Sequence, residues 1–459
     1  MGEKYNRGAA FKNARSPRLT MLKTVANKLT KANLSGWQIR ETKVVSDQAF
    51  LAKTARECTR TSETTFYTIS IYKKKPGIDP QKSMLGLSHF KIGPAQIPKL
   101  DYFLNQALAS ADLVHNEIFD LPTQPPQLPH VDIVDPTLSS KTLVELEDSL
   151  IAAVEKEKEA RLSSAEFFVD RIHTHLMNHH GLDVEQEETI IQTEFILLAK
   201  SDQKEKEFIN RTKRRFLSDF DLAEQVKETA KLAREATLSQ LPKTGEFPVL
   251  LSGEPLDHLF NPLIALASAR LKYNKMIHME RGKPIIENDA IKGDKITIWS
   301  NGTIKGMMGS SRFDSFGSPT KRTCLIEENI LKNYLADKRY ADYLNVPVTG
   351  ELGNIEIPGG RTSFNDLFNL YPDRDKPLYH LTAFSAFEPN PITGAFSAEI
   401  RSGYEISKKA LRPIKGGSVS GLLSKDLLHC FLSKEQVKRE RYLGPKGILF
   451  QSLEIAGSN

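Results

Sequence analysis

The chain has 459 residues, of which 39% are hydrophobic and 26% charged, and it carries a net charge of +6. This is the balance of an ordinary globular chain, long enough for two or three domains and for a core that needs neither disulfides nor structural metal. So mild a positive excess gives no argument for nucleic acid. Cys58, Cys324 and Cys430 are far apart, odd in number and without a Cys-x-x-Cys pair. That pattern argues against a disulfide framework and suits a reducing compartment. The polar start Met1-Gly2-Glu3-Lys4-Tyr5-Asn6 opens no signal-peptide core, and Asn6 breaks the myristoylation pattern. No apolar run approaches the roughly 20 residues that span a bilayer, so the expectation is a cytoplasmic protein with no membrane partner.

In chain order, Ser16-Pro17 caps a first helix whose apolar face is Leu19, Leu22, Val25 and Leu29, and Gly36 stops it. Strands are predicted over 37–53 and 65–72, the second from the alternation of Tyr67, Ile69 and Ile71 with Thr68 and Ser70. A helix over 97–111 follows. Leu121 to Pro129 holds four prolines in nine residues and reads as an extended connector. Thr142 with Glu145 three residues later predicts a capping box at the head of a third helix. Three strands near 166–177, 189–198 and 206–216 form an antiparallel meander with turns at 178–181 and 201–205. A long helix over 221–241, capped by Asp221 and Glu224, closes this half.

After Pro242-Lys243-Thr244-Gly245 the texture becomes short strands broken by Gly, Pro and Asn, apart from one apolar helix over 256–271. The division is therefore placed near residue 243. The expected class is α+β: a helix-covered antiparallel sheet domain over 1–242, then a strand-rich domain over 243–459.

Standard catalytic signatures are absent. There is no phosphate-binding Gly-x-x-x-x-Gly-Lys loop, and Gly417-Ser418-Val419-Ser420-Gly421 places Val where a nucleophile would stand. His173, His175, His179 and His180 are clustered, but no helical His-Glu-x-x-His arrangement accompanies them, so they read as histidines at a strand end rather than a metal site. The runs Lys73-Lys74-Lys75 and Lys213-Arg214-Arg215 read as solvated strand ends. On the 256–271 helix only the adjacent Asp257 and His258 are metal-ligand types, and Asp257 is expected to cap.

The stretch from Arg312-Phe313-Asp314-Ser315-Phe316-Gly317-Ser318-Pro319 through Arg322 to Leu325-Ile326-Glu327-Glu328-Asn329-Ile330-Leu331 resembles the TldD/PmbA peptidase family. That family has an acidic-small-x-Gly turn, a polar strand and a Leu-Ile-Glu hairpin here. Asn329 stands where Gly is usual, and Asn tolerates the positive φ such a turn needs. Further matches are Asn390-Pro391-Ile392-Thr393-Gly394, the terminal Ser452-Leu453-Glu454-Ile455-Ala456-Gly457, and, in the first half, Phe119-Asp120-Leu121-Pro122 and Leu162-Ser163-Ser164-Ala165-Glu166-Phe167. They run in order along nearly the whole chain.

The resemblance implies a helix that in TldD-type members carries His-Glu-x-x-x-His, with a later Cys as a further zinc ligand. Here Asn261, Pro262 and Leu266 stand at those positions, and Arg441-Tyr442-Leu443-Gly444 has no Cys. The chain is thus similar to the PmbA/TldE branch, without catalytic or metal residues of its own. The resemblance implies zinc in a TldD-type partner, action on unfolded or leader peptides within that complex, and Asp314, Gly317 and Arg322 as cleft or interface residues. The rival expectation is a stand-alone homodimer that binds peptides or proteins without cleaving them.

Overall fold

The computed structural model describes residues 18–77, 81, 83–123, 126–201, 204–286, 291–371, 375–408 and 410–458. The predicted cap at Ser16-Pro17 and the Gln124-Pro125 step of the connector lie outside the described residues. No helix among the described residues is long and apolar enough to cross a membrane.

The first half contains α1 (Arg18–Lys31), β1 (Gly36–Ala52), β2 (Ala55–Pro76), β3 (Ser83–Ile92), α2 (Leu100–Leu113), α3 (Thr142–Val154), β4 (Ala160–Asn178), β5 (Asp183–Ser201), β6 (Lys204–Arg214) and α4 (Leu222–Leu238). The strands form one antiparallel sheet in the order β3-β2-β1-β4-β5-β6. The predicted meander is its β4-β5-β6 edge. Alternation decides which face is covered. Phe167, Val169, Ile191, Phe195 and Leu197 point to one side, where they pack against Leu146 and Leu150 of α3 and Val226 and Ala230 of α4. At the other end Ile39 and Ile69 pack beneath Leu22, Val25 and Leu29 of α1 and Leu100 and Leu104 of α2.

Some local expectations differ. β2 begins at Ala55, ten residues before the predicted start at 65, because its first part pairs only with β1 and needs no buried face. α2 starts at Leu100, since Pro98 holds the preceding turn in a 3₁₀ helix. No capping box forms at α3: the N-cap is Lys141, and the Thr142 hydroxyl accepts the Ser139 N–H at 2.9 Å instead. At α4 the Asp221 carboxylate caps as expected, accepting the Glu224 N–H at 2.9 Å.

The second half runs β7 (Gly245–Ser252), α5 (Leu256–Leu259), α6 (Asn261–Leu266), α7 (Ala269–Tyr273), β8 (Ile298–Asn301), β9 (Arg322–Glu327), β10 (Ile330–Leu331), α8 (Lys338–Leu344), β11 (Asn354–Glu356), α9 (Phe364–Leu367), β12 (Leu378–Phe384), β13 (Ala395–Ile406), β14 (Leu411–Ile414), β15 (Ser418–Leu422), α10 (Leu423–Asp426), β16 (Cys430–Leu432), β17 (Gln436–Arg439), β18 (Tyr442–Pro445) and β19 (Gly447–Ala456). One sheet has the order β10-β9-β8-β11-β18-β17. The other runs β12-β7-β19-β15-β13-β14, and β12 also pairs with β13, so five strands close on themselves and bury their edges. The main core of this half is a cluster that includes Val249, Leu251, Phe260, Leu325, Ile326, Tyr379, Ile448 and Phe450, and Leu250, Leu367, Leu378 and Leu449 form a smaller one. The architecture is α+β, a helix-covered antiparallel sheet followed by a strand-rich half.

Arg215, just past β6, ties the halves together. It is 2% exposed. Its guanidinium donates to the carbonyls of Met307, Met308 and Ser310 in the second half at 3.1–3.2 Å, and to Glu188 at 2.9 Å in the first.

Candidate functional site

The predicted helix over 256–271 is three short helices, α5, α6 and α7. Pro262 has no N–H to donate to the His258 carbonyl one turn back, so the chain breaks at Phe260 and restarts with proline in the first turn of α6. The second break is held by partners outside the helix. Ala269 N–H donates to Leu335 O, Leu335 N–H to Ala267 O, and the Ser268 hydroxyl accepts the Leu271 N–H at 3.3 Å to cap α7. Pro262, Leu263 and Ile264 are buried, while Asn261 is half-buried. Leu266 packs partly on the core and borders a shallow apolar hollow of about 590 Å³ with Met276, Met279 and Ile392.

Asp257 does not cap α5, whose N-cap is Pro255 with no side-chain bond. Its carboxylate faces Arg439 at the end of β17, with Nε 3.1 Å from Oδ1 and Nη2 3.2 Å from Oδ2. Beside this pair, where β6 meets β17, lies a cavity of about 230 Å³ lined by Lys213, Arg214, Asp219, Met308, Lys438 and Glu440, with Gly306 in its wall. Burial, then the neighbouring Arg439, pulls the Arg214 guanidinium below its ordinary range. The run Lys213-Arg214-Arg215 was expected to be solvated; that holds for Lys213 alone, because the strand ends inside the seam between the halves.

For zinc, the residues at the family's ligand positions do not fit. Asn261 offers a weak amide oxygen, Pro262 nothing, and Leu266 a hydrocarbon. Cys430 is fully buried in β16, and burial pushes its thiol up to about 12. Among the described residues no three His, Cys, Asp or Glu side chains gather as metal ligands. The histidines of β4 are each engaged across the sheet: His175 with Asp183 at 2.6 Å and His173 with Glu185 at 3.2 Å. His179 accepts the Trp37 N–H through Nδ1 at 3.3 Å.

The structure places Asp314 and Gly317 in the seam. Asp314 Oδ1 accepts the N–H groups of Phe316 and Ser318, both at 2.9 Å, and its Oδ2 is buried without a hydrogen bond. Burial is the main cause that raises this carboxyl to about 6, with the Glu351 charge adding to it. Gly317 has φ +85°, and a Cβ there would lie 2.5 Å from Leu182 of the first half. Gln38 donates to Ser315 O at 3.0 Å across the same contact. Arg322 lies apart, on β9: it makes two 2.9 Å bonds to Glu356 of β11 and sits 3.7 Å over the Trp299 ring. The structure therefore brings Asp314 and Gly317 together but not Arg322, Asn261 or Leu266 with them. Arg439 and Arg214 had no signal in sequence beyond their charge.

Comparison with known proteins agrees with this geometry. Residues 244–457 match the family model described as the PmbA/TldA metallopeptidase C-terminal domain. An uncharacterized protein of Methanocaldococcus jannaschii is 27% identical over 255 residues, covering 54% of this chain and 58% of that protein. A zinc metalloprotease TldD homolog of Saccharolobus solfataricus is 25% identical over 219 residues, covering 44% and 47%. The chain thus spans about half the length of these sequence relatives. Among solved structures, TldE from Thermococcus kodakarensis superposes with a TM-score of 0.76 at 19% identity, covering 95% of this chain and all of that one. A protein of Bacteroides thetaiotaomicron described as a modulator of DNA gyrase gives 0.79 at 12% identity, covering 96% and 99%. Both likenesses are to the whole fold.

Proposed function

The chain belongs to the TldD/PmbA family, and from that premise we propose that it is the TldE-like, non-catalytic subunit of a peptidase whose zinc and general base sit in a TldD-type partner. The observation that carries the reading is α6. Where TldD-type members hold His-Glu-x-x-x-His, this helix presents Asn261, Pro262 and Leu266, and its remaining faces pack into the core. Proline can neither take nor give a proton, and a leucine cannot polarise water.

In this reading residues 1–242 and 243–459 are the two domains, and the chain supplies walls to a cleft that holds an extended, unfolded peptide. Main-chain hydrogen bonds to strand edges bind such a segment with little demand on its sequence. Leader regions and unfolded proteins are the substrate class. The exposed Cys58 goes with a reducing, cytoplasmic setting. Co-expression with a TldD-type chain followed by gel filtration tests the partnership. A stoichiometric complex is the expected result; separate elution of the two chains at micromolar concentration overturns it.

A further inference from the structure

One wall of the apolar hollow is the run Met276-Ile277-His278-Met279-Glu280, and Leu266, Lys283 and Ile392 complete it. In this run Ile277 is buried and Met279 half-buried, while His278 and Glu280 are exposed. That alternation is the pattern of an edge strand. The chain goes on to run beside β10, with Gly282 N–H donating to Leu331 O at 2.7 Å and Ile285 N–H to Asn329 O at 2.8 Å. The carbonyls of the wall are taken: His278 O accepts from Lys272 Nζ at 3.2 Å, Met279 O from the Tyr334 hydroxyl at 2.7 Å and Glu280 O from the Lys283 N–H at 3.2 Å. Its donors are not: among the described residues the N–H groups of Ile277, His278, Met279 and Glu280 have no acceptor. Beside these donors Met276 is 52% exposed and Ile392 41%.

We propose that this hollow seats one aliphatic side chain of an extended peptide, whose main-chain carbonyls accept from the Ile277–Glu280 wall. This rests on the peptide-binding reading given above and narrows its substrate class to unfolded segments that bring an aliphatic residue. The partial positive charge of unpaired N–H groups is complementary to carbonyl oxygens, and a wall whose own carbonyls are already engaged has donors to give and few acceptors to offer. An extended peptide supplies the missing acceptors along its backbone and an apolar side chain between them, the division of labour by which main-chain bonds give affinity and a pocket gives selectivity. The volume of about 590 Å³ lies within the ~300–1,000 Å³ of ligand sites. Two of the lining residues, Met276 and Met279, have flexible thioether side chains that adapt to differently shaped guests, so the seat selects for aliphatic character and not for one residue type. These are binding residues, not catalytic ones.

The test is fluorescence anisotropy on the purified full chain with two dye-labelled unfolded peptides of one mixed sequence. In the first the only large apolar residue is a central leucine; in the second serine replaces it. The expected result is binding on the order of tenfold tighter for the leucine peptide, the lower end of what burying such a side chain gives in a shallow seat. The preference should fall close to one in the double variant Met276→Ser and Ile392→Ser, both exposed positions whose change leaves the fold untouched. Equal affinity of the two peptides for the wild-type chain overturns the aliphatic seat while leaving peptide binding intact. A preference that survives the double variant also overturns it, since the leucine is then held elsewhere. Binding of neither peptide removes the peptide reading itself, and the seat with it.

Discussion

Replacing Asp314 with Asn isolates one buried charge in the seam. The carboxyl is raised from 3.8 to about 6 by burial, then by Glu351. A group whose folded pKa lies above its unfolded value favours the folded state in its protonated form. Its contribution is full below about pH 4 and is lost as pH rises through about 6. The rise corresponds to about 3 kcal/mol, at about 1.4 kcal/mol per tenfold change in proton affinity. Asn keeps the oxygen that accepts the Phe316 and Ser318 N–H groups and cannot ionise. Its amide also meets the unpartnered space at Oδ2, a cost of about 1–3 kcal/mol that does not vary with pH. The stability difference between Asp314→Asn and wild type should therefore shift in favour of the variant by about 2 kcal/mol between pH 4.5 and 7.5, the first ~1 kcal/mol of the ~3 having been lost below pH 4.5. Urea unfolding midpoints of both proteins across that range read it directly, because all other titrating groups cancel. Parallel midpoint curves would show that Asp314 ionises as freely folded as unfolded, and would refute the argument.

Three more outcomes are expected. Arg215→Met should lower stability by about 3–5 kcal/mol, because it strands Glu188 and three carbonyls of the seam; thermal unfolding checks it, and a loss under about 1 kcal/mol contradicts it. At the β9–β10 turn, Asn329→Ala should cost about 1 kcal/mol more than Asn329→Gly, since φ is +67° and both variants lose the 2.8 Å bond from Ile296 N–H; equal losses by chemical denaturation would remove the backbone argument. With a thiol reagent at pH 8, the exposed Cys58 should react first and Cys430 last, because burial holds its thiol at about 12; fast labelling of Cys430, located by peptide mapping, would contradict its placement.

Short-range chemistry made parts of this molecule legible. Three closely spaced strand-like runs with turns at 178–181 and 201–205 identified the meander, and Asp221 announced the start of α4. Asn329 was expected to tolerate a left-handed turn, and Glu328 and Asn329 have φ +46° and +67°. What escaped was fixed by distant partners. The apolar run from Leu256 read as one helix, because the backbone bonds from Leu335 that divide it lie far along the chain. Asp257 read as a cap because nothing local points to Arg439, 182 residues away. The strand β3, Ser83–Ile92, carries no clean alternation because Leu85 and Gly86 are buried side by side and Leu87 and Ser88 are both half-buried. The closing of five strands through β12 and β13 is likewise a long-range pairing with no local mark.

The central claim is that this chain shapes a peptidase without performing the chemistry. It is tested most directly by assaying an unfolded peptide with the isolated chain, the isolated TldD-type partner and their mixture, each with and without a chelator. The account predicts chelator-sensitive cleavage by the mixture and none by this chain alone, with Asn261→Ala and Leu266→Ala changing the mixture's rate by less than about twofold, an energy under about 0.5 kcal/mol. Chelator-sensitive cleavage by this chain alone, surviving purification to homogeneity, would contradict it.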